Sequence, residues 1–65
     1  MSDSTQNFDE IIEKLKSVSE LLADKALDAL KEAHQAGETK RPELERTLTQ
    51  ARRAVEKAIS LLTRT

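Results

Sequence analysis

Three sets of side chains in this 65-residue chain are of types that do chemistry: a lone histidine, an acidic stripe and a basic stripe. His34 is the one side chain whose ordinary titration falls near neutral pH. As a catalytic base it would need a nucleophile within reach and donors for a developing oxyanion. Ser17 lies almost five turns away on the same predicted helix, and no sequence pattern suggests an oxyanion hole. The plain account of His34 is a cation in the last turn of a helix, where the negative end of the dipole favours it.

Glu13, Glu20, Asp24 and Asp28 share an outward helix face. Asp24 and Asp28 form an i, i+4 like-charge pair, mildly destabilising by itself. One helix face cannot wrap a cation in the six to eight oxygens that calcium prefers. With no cysteine and one histidine, thiolate and histidine-cluster metal sites are excluded, as are disulfides and cysteine nucleophiles. A single glycine cannot build a phosphate-cradling loop. The expectation is a non-enzymatic chain with no cofactor, no metal and no small-molecule substrate.

Arg46, Arg53, Lys57 and Arg64 share the outward face of a second predicted helix. Such a stripe can track a phosphate backbone. The net charge of −1 marks no strongly basic binder, and Phe8 is the sole aromatic residue, too few for base stacking. A solvated face, or partners for acids on a neighbouring helix, is the ordinary reading of these four cations. Polyanion binding stands as the alternative.

The elements that position these residues follow from the breakers. The only glycine and the only proline lie within residues 36 to 43, which read as a bend. The spacing predicts helix 1 over about 8–36, the bend at 37–41 and helix 2 over about 42–63. Residues 1–6 are small and polar, and are expected to be disordered. Asn7 and Glu10 suit a capping box at the start of helix 1. Gly37 suits the left-handed conformation that ends it. Pro42 suits the first turn of helix 2, with Thr39 or Arg41 as its cap.

Along helix 1 the apolar series is Phe8, Ile11, Leu15, Val18, Leu22, Ala26, Ala29, Ala33 and Ala36. Two heptads run through Leu22, and the step to Ala26 reads as a stutter. Ile12, Leu27 and Leu30 widen the stripe on one flank and Leu21 on the other. Helix 2 carries Leu44, Leu48, Ala51, Val55, Ala58 and Leu62, an unbroken heptad seam. Folding at the bend sets Ala36 near Leu44, Ala29 near Ala51, Leu22 near Ala58 and Val18 near Leu62. The alanines predict an unusually close seam.

Helix 1 is the longer, so its far end overhangs by about 10 Å at ~1.5 Å per residue. That end holds Phe8, Ile11, Ile12 and Leu15. Burying each such side chain is worth roughly 1.5–3 kcal/mol. A core this small ordinarily needs a further staple. These residues, with Leu21, Leu27 and Leu30 on the broad arc, are therefore expected to form the interface with a second copy, a dimer being favoured, or with another protein at the apolar end of helix 1. Residues 1–36 carry eight acids and four bases, and residues 37–65 four acids and seven bases, which favours antiparallel neighbours.

This layout resembles that of the Rop type of plasmid-copy-number regulator: a chain of similar length, two helices, one bend, and dimerisation into a four-helix bundle that binds RNA. The resemblance is one of architecture, and no functional residue is carried across on it. The sequence thus predicts an all-α, two-helix antiparallel hairpin with an alanine-rich seam, dimerising into a four-helix bundle. It is expected to act as a protein–protein interaction module, scaffold or regulator. No uncharged apolar run approaches a membrane span and the N-terminus is not a secretory signal, so a cytoplasmic location is expected.

Overall fold

The computed structural model describes residues 8–64. They form two α-helices packed side by side as an antiparallel hairpin, α1 (Asp9–Gln35) and α2 (Glu43–Arg64). Each helix has acids in its first turn and a base in its last, as the helix dipole favours.

The start of α1 differs from the capping box expected there. Phe8 holds the N-cap position with no side-chain cap, and its carbonyl accepts the Ile12 N–H at 2.8 Å. Asn7 lies outside the described residues, as does the segment 1–6 expected to be disordered. The end of α1 is a Schellman turn. Gly37 has φ +83, its N–H donates to the His34 carbonyl at 3.0 Å, and the Glu38 N–H reaches the Ala33 carbonyl at 3.0 Å. At α2, Pro42 occupies the position before the first helical residue, where Thr39 or Arg41 was expected. Its carbonyl accepts the Arg46 N–H at 3.2 Å. Arg41 instead reaches forward, and its guanidinium binds the Glu45 carboxylate one turn into the helix.

The seam also departs from expectation. Ile11 and Val18 are exposed, while Ile12 is half-buried and Ser19 is buried at 6% exposure. The inward positions of α1 are therefore Phe8, Ile12, Leu15, Ser19, Leu22, Ala26, Ala29 and Ala33. Their spacing alternates four and three without a break, so there is no stutter. A continuous repeat keeps the seam on the partner helix, whereas a phase reset would turn it away. The stutter arises from following apolarity alone, which passes over a serine.

On α2, Leu48, Val55 and Leu62 are half-buried, flanked by Ala51 and Ala58 on one side and by Glu45, Arg52 and Ile59 on the other. Leu44 is 59% exposed and Ala36 is exposed as well, so neither belongs to the covered seam. The register lies about one turn from the expected one. Ser19 bonds to Glu56, and Ala26 shares a groove with Thr49, as Leu30 does with Glu45. The bend itself consumes Ala36, so the first cross-helix level falls farther back along α1. α1 has 27 residues and α2 has 22. The excess of five residues amounts to about 7.5 Å.

Only Ala26, Ala29 and Ser19 are buried among the described residues. Small side chains at these positions let the backbones approach, and the half-buried leucines fill the space beside them.

Candidate functional site

The hairpin has two broad sides, and its grooves show which residues share each. On the first side Ala23, Ala26, Leu27 and Leu30 line a groove with Glu45, Thr49 and Arg52. Farther from the bend, Lys16, Ser19 and Glu20 do so with Glu56, Ile59 and Ser60. On the second side Lys25, Asp28, Ala29 and Glu32 line a groove with Leu44 and Leu48. Residues seven apart share a helix phase. Val18 and Ile11 therefore lie on the flank of Lys25 and Glu32, and Leu21 on that of Asp28. On α2, Ala51 and Ala58 lie on the flank of Leu44, with Ala54 and Leu61 beside them.

Seven large apolar side chains keep 42 to 60% of their surface exposed. Leu27 and Leu30 are on the first side. Ile11, Val18, Leu21, Leu44 and Leu61 are on the second. The residues expected at an interface thus do not make one surface. Phe8, Ile12 and Leu15 are half-buried at inward positions, Ile11 and Leu21 face one way, and Leu27 and Leu30 face the other. Sequence reasoning missed Leu61 and put Val18 and Leu44 inside. The signal for Leu61 is its place three residues past Ala58 and next to the inward Leu62.

The polar groups divide unevenly as well. On the first side they satisfy one another. Glu56 Oε2 accepts from Ser19 Oγ at 3.1 Å and from Arg52 Nη1 at 2.9 Å. Glu45 accepts from Thr49 Oγ1 at 2.9 Å and from the Arg41 guanidinium. The hydrogen bond from Arg41 holds the Glu45 carboxyl below its ordinary value, with the Thr49 bond helping and burial opposing. The same pairing raises the Arg41 guanidinium. On the second side the α2 face is mainly alanine and leucine, with Thr47 among them, and has no polar network of this kind among the described residues.

The charged stripes are solvated. Glu13, Glu20, Asp24 and Asp28 are exposed, and Glu13 pairs with Lys16 at 3.7 Å. Among the described residues no group of three or more acids or histidines is placed to hold a metal ion. Arg46, Arg53, Lys57 and Arg64 are all exposed and make no ion pair among the described residues. His34 and Ser17 ride on one helix, about 25 Å apart. No described helix is long and apolar enough to cross a membrane.

No protein-family model, curated protein or solved structure matches this chain. The functional reading therefore rests on the surface itself.

Proposed function

We propose that this chain is a small, non-enzymatic interaction module that works as a helical-hairpin homo-oligomer, its hairpins joined into a four-helix bundle in the cytoplasm. One observation carries the reading. The hairpin buries two alanines and a serine, yet leaves seven large apolar side chains 42 to 60% exposed. A sizeable share of its apolar surface is thus left uncovered within one chain. Covering the remaining half of each such side chain is worth on the order of 1 kcal/mol. Exposed apolar patches spanning two helices mark association surfaces. Sedimentation equilibrium of the full chain tests this. The expected mass is a multiple of the chain mass, and a fully helical monomer throughout the accessible concentration range overturns it.

A second reading draws on a different observation. Arg46, Arg53, Lys57 and Arg64 are exposed and make no ion pair among the described residues, as a polyanion-binding face requires. A nucleic acid would then bind along the outer face of α2 with affinity falling steeply as salt rises. Binding to RNA or DNA at low salt, abolished by Arg53→Glu with Lys57→Glu, is the expected result. Absence of binding at low salt removes this reading and leaves the first intact.

A further inference from the structure

We propose that a second copy of this chain docks on the side carrying Val18, Leu21 and Leu61. It runs antiparallel, each bend at the other's open end, about a two-fold axis at the level of Leu21 and Ala54. The proposal rests on the homo-oligomer reading and specifies its face and orientation.

The side is chosen by what is already satisfied. Glu45, Thr49, Arg52 and Glu56 are engaged with one another or with Ser19 and Arg41 on the first side. The second side offers Ala51, Ala54, Ala58 and Leu61 on α2, opposite Val18 and Leu21 on α1. Five of the seven exposed large apolar side chains lie there. The apolar surface of that side is continuous on α2, and the charged groups beside it on α1, Lys14, Lys25, Asp28 and Glu32, must find partners in the second copy.

The orientation is chosen by charge. A two-fold axis across the rod sets each residue against one equally far beyond the axis on the same helix of the second copy. With Leu21 on the axis, Lys14 meets Asp28 of the second copy, seven residues to either side. With Ala54 on the axis, Ala51 meets Ala58 at the centre, and Glu43 meets Arg64 near the ends, eleven residues before and ten after. The internal register supports one axis for both helices. Ser19 stands two residues before Leu21 and Glu56 two after Ala54, and these two are hydrogen-bonded. Leu21 and Ala54 thus lie at one level along the rod. Lys25 of the second copy comes to Val18, which its methylene stem can cover, while Glu32 comes to Ile11 and Glu10, beside Lys14, which pairs with Glu10 at 3.7 Å.

Asp28, Glu43 and Arg64 make no ion pair among the described residues, and Lys14 has only a solvated contact with Glu10 at 3.7 Å. Docking with the bends together does the reverse. It gathers Lys14 with Lys57 and Arg64 at one end, and sets Glu32 and Asp28 beside Glu43 at the other. Like charges brought together in this way disfavour that arrangement.

The chain has no cysteine, so single cysteines report the geometry cleanly. In a glutathione redox buffer, Leu21→Cys and Ala54→Cys are expected to form disulfide-linked dimers, because a residue on the axis meets its own copy. Leu27→Cys, on the opposite side, is expected to stay unlinked. Lys14→Glu should weaken the dimer roughly ten-fold, and adding Asp28→Lys should restore it. The two residues are about 21 Å apart along one helix, so the rescue can operate only between copies. Circular dichroism checks that each variant keeps its helix content. If the wild type is dimeric but only the Leu27→Cys variant links, or the charge swap restores nothing, this face and orientation are overturned while the homo-oligomer reading stands. A monomeric wild type overturns both.

Discussion

Ser19 Oγ donates a hydrogen bond to Glu56 Oε2 at 3.1 Å across the two helices, 37 residues apart in the chain. Ser19 is buried while Glu56 is exposed, and Arg52 donates to the same carboxylate oxygen. The pair places a polar side chain in an apolar repeat and marks the level at which the helices meet.

Removing this bond should have a small effect on stability. Ser19→Ala loses a hydrogen bond worth about 1 kcal/mol, but it gains helix propensity and leaves Glu56 in water with Arg52. We expect a net change below about 1 kcal/mol in urea unfolding. A double-mutant cycle with Glu56→Ala, which removes the acceptor, should give a coupling of roughly 0.5–1 kcal/mol. A coupling of zero means that the bond is not formed in solution.

Gly37 should resist substitution for one reason only. Its φ of +83 is the left-handed conformation, and an added Cβ would meet nothing within 4 Å. Gly37→Ala should therefore destabilise by about 1–2 kcal/mol through backbone conformation alone. Gly37→Asn should lose less, since asparagine visits that region more readily. Equal losses in thermal unfolding would show that the turn relaxes instead.

Enlarging the seam should push the helices apart. Ala26 and Ala29 are 8% and 7% exposed. Ala26→Leu or Ala29→Leu should destabilise by about 1–3 kcal/mol through overpacking. Val18→Ser, at a position 42% exposed, should leave the stability of the isolated hairpin nearly unchanged. Measured at a concentration where the chain is monomeric, a large loss for Val18→Ser and none for Ala29→Leu would return the seam to the phase of Ile11 and Val18.

Acid should weaken the start of α2. The Glu45 carboxyl is lowered from its ordinary value of 4.5, first by the Arg41 hydrogen bond. A carboxyl depressed in the folded state contributes stability above its unfolded value and loses it as pH falls through the folded value. The urea midpoint should therefore drop as pH is taken below about 4.5, and Glu45→Gln should flatten part of that slope. An identical slope in the variant would show that Glu45 is unpaired in solution.

Much of the fold was legible because it is local. Gly37 and Pro42 stand alone among residues that favour or tolerate helix, and apolar residues three and four apart on either side suit two helices and a bend. The candidate site was less legible. Whether Leu21, Leu27, Leu30 and Leu61 are covered, and which of them share a side, depends on where α2 lies against α1.

The sequence by itself determined two helices, their approximate ends, the left-handed turn at Gly37 and an alanine-rich seam. Each follows from backbone preferences and spacing within a few residues. Only the tertiary structure decided the phase and the register. Ile11 and Val18 are as apolar as Ile12 and more apolar than Ser19, so local hydrophobicity favours the wrong stripe. Packing favours the other, because the phase of Ile12 and Ser19 runs unbroken into Ala26, Ala29 and Ala33 and holds one face against α2. The hydrogen bond to Glu56 offsets the burial of the Ser19 hydroxyl. That choice turned Val18 outward, beside Leu21 and Leu61, and so made the surface on which the proposed dimer rests.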